Sequence, residues 1–543
     1  MGAKTSNYGF SLWDTGDRIE VTANEQTANW NALEDWIVKR NGYLVNAKGG
    51  YRLGSNGKPL VGDATNATID DQPAIQAALT KCKDDGGGIV FLPAGNYALK
   101  NTCVIYSNTT FIMHPQARIY RNKPNIGAFF RNGESGSTNT GYNGHGNIHV
   151  IGGYLDGNIG NYDYRFNFFS FGHGYNITFE NIYMKDTQTY HAIEINSTNK
   201  AVFKNLTCDG YSLDSEFQQT TPNRRTEAIQ IDGMYGQDVF GDFGAYDNTP
   251  CNDITIESCT FRNWNRGVGS HSSATGAHHR NIRVVNNHFE NIEDIAVVSC
   301  MWDNAVIDSN TFQTVGGGVW LRVKDSTDAT FGYVISNNTF RTVTLGTSAR
   351  HAIRVSGQDD ADTSFKLRTV SITGNTIENT TDTSIYVDRV WRTTITGNTI
   401  NNATTSGIYV TGCEFGTISA NTIISCGSYG IGLSGSNWFA INGNLVSNTD
   451  LSGIYLTNSK ECAITGNTTR RNGIAGGDNQ GIRLVSGSSD CTVTGNSHVS
   501  GSGEADRAIL CSGTTARNVT VGNNGGGKAT TNNSTGGVSS GNL

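Results

Sequence analysis

The sequence predicts an all-β chain wound as a parallel β-helix solenoid, with a short N-terminal helical segment and a capping helix. The first observation is a period. Asn375, Asn398, Asn421, Asn444 and Asn467 follow one another at intervals of 23 residues, and Ile385, Ile408, Ile431 and Ile454 keep the same step. The second is the pattern inside each unit: short runs with apolar residues at every second position, bounded by Gly, Asn, Ser and Thr, which read as strands joined by tight turns. Two or three such strands cannot bury an apolar face alone, but stacked on neighbouring copies they can. The third is composition, with 67 glycines against 7 prolines, which suits turns alternating with strands rather than helices.

In chain order, residues 1–45 read as an attachment or assembly segment built on one amphipathic helix. A capping box runs from Thr22 to Glu25, the apolar positions are Trp30, Leu33, Trp36 and Ile37, and Gly42 stops it. Residues 46–145 read as an N-terminal cap and the first coils. A helix is expected over 71–81 and a strand over 89–92, the helix covering a sheet edge that would otherwise pair with another chain. Residues 146–360 continue the β-helix in looser repeats with inserted loops, and 361–543 form the regular coils and a C-terminal tail. The recurring asparagines read as scaffold, since Asn tolerates left-handed turns and its amide can bond the next coil.

One phrase departs from the habit. "TEAIQIDG" at 226–233 carries Glu227 and Asp232 where later copies, "SGIYVTG" at 406–412 and "SGIYLTN" at 452–458, carry small polar residues. Aligned on their inward apolar residues, the phrases give two columns expected to face outward. One reads Ser170, Glu194, Gln230, Gly269, Val298, Trp320, Arg354, Tyr386; the other reads Gly172, Asn196, Asp232, His271, Cys300, Arg322, Ser356, Asp388. Charged and aromatic residues gather in the middle coils. There the spacing from Ile193 to Ile229 to Val268 widens to 36 and 39 residues, and the insertions carry Tyr211, Phe217, Tyr235, Phe240, Phe243 and Tyr246, aromatic faces suited to sugar rings.

Glu194 and Asp232 would lie on a diagonal with Cα atoms about 8 Å apart. Carboxyls about 6.5 to 9.5 Å apart suit an inverting glycosidase. Glu227 is a second candidate partner, and His271, one coil above Asp232, could have its pKa raised and its tautomer held there. Asn196, Tyr235, Tyr246, Arg266, Trp320, Arg322 and Arg354 are the expected substrate-binding residues, the arginines suiting an anionic group.

A net charge of −7 leaves no basic surface for nucleic acid, and no apolar run is long enough to insert in a membrane. The first twenty residues lack the apolar segment of a secretory signal, so the chain is expected to be made in a cytosol and released by another route such as lysis. The eleven cysteines include no CxxC pair and read as small buried residues. His278 and His279 could join Asp232 and His271 around a divalent metal, but their spacing matches no strong motif. No metal or other cofactor is expected, and the two histidines read as loop residues at the groove rim.

The order "GDATNATIDDQPAIQAAL" at 62–79, then "GGGIVFLPAGNYAL" at 86–99, resembles the opening of the pectate-lyase-like superfamily of right-handed β-helix proteins. That superfamily includes polysaccharide lyases, polygalacturonase-type glycosidases and phage tailspike depolymerases. The whole chain is similar to virion-attached tailspikes, including preneck appendages of small Bacillus phages that cleave wall teichoic acid. The Gly-His-Gly triplets at 144–146 and 172–174 precede every candidate aspartate, unlike the polygalacturonase order, so that family's catalytic residues are not carried over.

The resemblance implies a depolymerase on a virion tail, acting on a bacterial cell-surface polysaccharide or teichoic acid. It implies a homotrimer attached to phage tail or neck proteins through residues 1–45. Two alternatives remain open on the same scaffold: a polysaccharide lyase or uronate epimerase, and a non-catalytic carbohydrate receptor-binding spike.

Overall fold

Apolar residues at alternate positions turn inward in coil after coil, and the polar residues between them line the walls. The computed structural model describes residues 69–222, 226–236, 242–323, 329–345, 351–357, 367–476, 479–501, 507–512 and 517–543, with the backbone of short strands at Phe10–Ser11, Arg18–Ile19 and Tyr43–Leu44. The helix expected over 22–42 lies outside the described residues.

Each coil contributes to three walls of parallel strands. In the first, Ile193–Asn196 sits between Phe166–Gly172 and Glu227–Asp232, with Ile193 opposite Ile229 and Glu194 opposite Gln230. In the second, Asn199–Lys204 lies between Tyr175–Glu180 and Asn252–Glu257. In the third, Thr207–Ser212 lies between Tyr183–Gln188 and Thr260–Trp264. Because the register is kept without slip through these coils, like stacks on like inside. Ile193, Ile195, Ile229 and Ile231 are fully buried, and Phe261, Phe289, Phe312 and Phe340 form a ring stack with centroids 5.0, 4.9 and 4.4 Å apart.

The asparagine ladder is present, with its two expected jobs divided between neighbours. Asn398 Nδ2 donates to Ile372 O at 2.9 Å and to Asn421 Oδ1 at 3.0 Å, while Asn398 Oδ1 accepts from Asn375 N and Nδ2, each at 2.9 Å. The left-handed conformation falls one residue earlier, at Gly397 with φ +68°. Glycine bears that turn without a Cβ penalty, leaving the asparagine free to staple three coils.

The cap is a helix at Gln72–Asp84, starting one residue later and ending three residues later than expected, and burying Ile75, Leu79 and Cys82. Its Gln76 closes a backbone pair on the first coil, accepting from Val104 N at 2.7 Å and donating to Val104 O at 3.2 Å. The strand expected at 89–92 is Gly88–Leu92. All eleven cysteines are buried free thiols. Among the described residues no helix is long and apolar enough to cross a membrane, and no three His, Cys, Asp or Glu side chains are grouped to hold a metal ion.

Candidate active site

The first wall stacks the polar columns in the register read from sequence. Ser170, Glu194, Gln230, Gly269, Val298, Trp320, Arg354 and Tyr386 are successive partners, and Asn196 faces Asp232. Their exposure differs from expectation. Glu194 is 6 % exposed and Glu227 and Asp232 are 0 % exposed. A parallel β-helix wall is open only where no loop crosses it, and here surrounding side chains and turns cover the carboxylates.

Glu227 starts its strand opposite Arg266. Its Oε1 accepts from Arg266 NH1 at 3.0 Å, and its Oε2 lies 3.1 Å from His271 Nδ1. Arg266 in turn donates from Nε to Asp294 Oδ2 at 2.7 Å. Burial opposes ionisation of Glu227, but the His271 charge and hydrogen bond, together with Arg266, overcome it and hold the carboxyl well below the usual range. Two expectations are corrected here. Glu227, expected to be open to substrate, is fully buried with both oxygens engaged, one by Arg266 and the other by His271. Arg266, expected to face an anionic group of the substrate, is 6 % exposed and paired with the carboxylates of Glu227 and Asp294.

His271 is the open member of the group, with its side chain 37 % exposed. Burial of part of the ring works against its charge, but Glu227 and Asp232 outweigh it and raise its pKa to about 9. Its Nε2 lies 3.7 Å from Asp232 Oδ2, and its ring stacks on His191 at 6.1 Å.

Asp232 is surrounded by donors. Gln230 Nε2 donates to Oδ2 at 2.7 Å, and Ser272 N–H approaches Oδ1 at 3.4 Å. His279 Nε2 lies 3.7 Å from Oδ1. The Cys251 N–H donates to His279 Nδ1 at 3.0 Å, which leaves the ring proton of neutral His279 on Nε2, toward Asp232 and the Tyr235 hydroxyl at 3.4 Å. His278 and His279 are therefore not rim residues. Both are buried, His279 beginning a strand of the second wall and His278 holding Asp303 at 3.0 Å.

Glu194 has the opposite surroundings. Burial pushes its pKa up to about 7, further than hydrogen bonds from Asn196 and Ser170 pull it down, and the Asp232 charge adds to the rise. Asn167 Nδ2 and Ser170 Oγ reach its Oε2 at 2.7 and 3.1 Å, and Asn196 Nδ2 reaches Oε1 at 3.1 Å. Asn196 thus orients the carboxyl. Its own Oδ1, and Oε1 of Gln230, are buried acceptors without a partner among the described residues. A ligand rich in hydroxyls would complete them.

Further up the wall, Trp320 lies between two guanidinium groups, Arg322 at 5.0 Å and Arg354 at 4.7 Å, and all three are half-buried. Tyr386 and Tyr409 continue the line. The inserted loops form less of a wall than expected. Phe243 is 3 % exposed and packs on Met234, and Tyr211 packs on Trp264 at 5.4 Å. Tyr246 is 40 % exposed, on a segment tied through Gly244 and Ala245 to Ser137 and Asn139, toward the first coils. Phe240 lies outside the described residues.

Sequence reasoning passed over His191, Asn167, Asp294 and the structural place of His279. His191 and Glu227 each stand two residues before the first inward isoleucine of their strands, a third column legible in the same alignment. Asn167 belongs to the same column one coil below, two residues before Phe169, the partner of Ile193, and reaches Glu194 from there. The Gly-His-Gly at 172–174 is structural: His173 is fully buried and bridges Gly141 O at 2.7 Å and Ala245 O at 2.9 Å.

Walls, register and turns define a parallel β-helix, and residues 295–498 and 351–542 match the family model described as right handed beta helix region. The chain is 26 % identical over 364 residues to plasmin and fibronectin-binding protein A of Streptococcus pneumoniae, a match covering 59 % of this chain and 49 % of the relative. It thus spans about half the length of that curated relative. Among solved structures it is similar to PfbA, a surface adhesin of Streptococcus pneumoniae, at 16 % identity and a TM-score of 0.43, covering 84 % of this chain and 91 % of that one. It is similar also to a double mutant of the tailspike protein of E. coli bacteriophage HK620, at 14 % identity and a TM-score of 0.45, covering 98 % and 82 % of the two chains. For tailspike protein 3 of bacteriophage CBA120 the figures are 13 %, 0.42, 94 % and 66 %. These likenesses concern the fold.

Proposed function

We propose that the chain is a depolymerase of a bacterial surface glycan, hydrolysing a glycosidic bond with Glu194 as general acid and Asp232 as the base that activates water. The observation that carries this reading is the contrast between two carboxyls on one wall. Glu194 keeps its proton to about pH 7, while Asp232, diagonally above it, is ringed by donors. Groups whose environments are pushed apart in this way are suited to acid and base roles. The diagonal Cα separation of about 8 Å leaves room for a water, as an inverting mechanism needs.

The protonated His271 at the opening, with Arg322 and Arg354 flanking Trp320, suits an anionic polymer such as an acidic polysaccharide or wall teichoic acid. The unpartnered Asn196 and Gln230 oxygens suit sugar hydroxyls. In this reading the protein is a virion-borne homotrimer attached through residues 1–45, and light scattering at micromolar concentration tests the trimer. Product analysis tests the reaction: a hydrolase yields new reducing ends, a lyase unsaturated ends absorbing in the ultraviolet, and a phosphodiesterase phosphate-bearing fragments.

A second reading, a non-catalytic receptor-binding spike, is favoured by the near closure of Glu194 and Asp232 and by the sequence relative named for binding plasmin and fibronectin. On that reading no products form from any polymer the protein binds.

A further inference from the structure

On the second wall, six coils above Asp232 and so roughly 30 Å along the axis, stands a pair of aromatic rings that the carboxylate site does not use. Phe415 and Trp438 occupy the second residue of neighbouring strands, with φ +56° and +58°. In other coils that left-handed position holds Asn176, Lys200, Asp253, Asn281, Asn304, Glu461 and Asp490, all polar and most of them the Asn and Asp that tolerate it. Here the chain puts bulky rings into a strained conformation, and they gain little burial in return: Phe415 is 47 % exposed and Trp438 40 %. Strain kept at an exposed position points to use rather than packing.

The rings are held in place. They stack at 4.8 Å with planes 10° apart, and Trp438 Nε1 donates to Glu461 Oε2 at 3.0 Å. In the coil below, the column continues as Arg392, whose guanidinium lies 4.1 Å over Trp391, and Trp391 meets Phe415 edge-on at 6.2 Å. Where the stack breaks there is a cavity of about 350 Å³ lined by Trp391, Arg392, Phe415 and the hydroxyl-bearing Thr369, Thr394 and Thr417. Small-molecule sites run from about 300 to 1,000 Å³.

We infer that this cavity and the Phe415–Trp438 stack form a second, non-catalytic glycan-binding site, separate from the groove of the carboxylates. An apolar ring face beside threonine hydroxyls and a guanidinium matches a pyranose, which offers an apolar C–H face and a rim of hydroxyls. The Arg392 charge favours sugars bearing a carboxylate or phosphate. The site shares with the proposed function only the class of ligand, and its failure and that of the hydrolytic reading are separable.

The test is binding to a microbial-glycan microarray carrying neutral and acidic polysaccharides, comparing the wild type, Phe415→Asn/Trp438→Asn, Arg392→Gln and Glu194→Gln/Asp232→Asn. Asparagine suits the left-handed position, so the first double variant is expected to melt no lower than wild type while its glycan signal falls at least tenfold. Arg392→Gln, which leaves the stack intact, is expected to weaken acidic glycans most, and the carboxamide variant is expected to keep its signal. Unchanged binding by Phe415→Asn/Trp438→Asn, or no bound glycan on the array, would overturn the inference. If that variant melts lower and also loses binding, Arg392→Gln decides: retained acidic-glycan signal counts against the site and lost signal supports it.

Discussion

His271 Nδ1 stands 3.1 Å from Glu227 Oε2, and the same carboxylate takes Arg266 at 3.0 Å, so the exposed imidazolium is fixed by a buried ion pair. Glu227→Gln leaves Arg266 and His271 short of their counter-charge. Breaking a buried pair from one side costs about 3 to 5 kcal/mol, and Asp294 still holds Arg266, so a loss near the lower figure is expected in denaturant unfolding.

The same pair sets a pH dependence. His271 has a folded pKa of about 9 against an ordinary value near 6.5, so its contribution is complete below pH 6.5 and is lost as pH rises through about 9. Glu227 has a depressed folded pKa, so its contribution is complete above its ordinary value near 4.5 and is lost in acid. Melting temperature should therefore be highest between about pH 5 and 6.5 as far as this pair is concerned. Both slopes should shrink in Glu227→Gln. With its ring more than a third exposed, His271 supplies the smaller slope.

Glu194 behaves in the reverse sense. Its folded pKa of about 7 lies above the ordinary 4.5, so it destabilises the fold increasingly from pH 4.5 to 7 and fully above that. Relative to wild type, Glu194→Gln should melt higher at pH 8 than it does at pH 4. If Glu194 delivers the proton, wild-type kcat/KM should fall as pH rises through about 7, a limb that a pH–rate profile reads directly.

Asn398→Ala removes one rung of the ladder and leaves Asn375 N without its acceptor, while Asn375 Nδ2 keeps Ile335 O at 3.0 Å. A buried polar group left unpaired costs about 1 to 3 kcal/mol, so thermal stability should fall while turnover per folded molecule is unchanged.

The period, the cap helix and the two polar columns were legible because each rests on local spacing: a 23-residue step, alternation along a strand, and a helical pattern read over residues 71–81. Which polar residues face solvent was not legible. Glu194 and Arg354 share a column, yet the first is closed off by Asn167, Ser170 and Asn196 while the second remains half-buried beside Trp320. That difference arises from side chains on other coils and from turns whose paths no repeat specifies. Likewise the rings of Phe243 and Tyr211 promised a sugar-binding wall and instead fill gaps beneath the inserted loops.

Substrate contacts on the open part of the wall should separate binding from chemistry. Arg354→Gln removes a cation stacked at 4.7 Å on Trp320 and should raise KM by about tenfold, or ~1.4 kcal/mol, with kcat nearly unchanged. The increase should be smaller at high salt if the substrate is anionic.

The most direct measurement is the release of new reducing ends from a susceptible host envelope polymer by wild type, Glu194→Gln and Asp232→Asn, normalised to folded protein by circular dichroism. The acid and base assignment predicts that each variant loses about a hundredfold or more, the scale expected when a positioned proton donor or acceptor is removed. Reducing-end release by both variants at near the wild-type rate would contradict it and place the chemistry outside the Glu194–Asp232 wall.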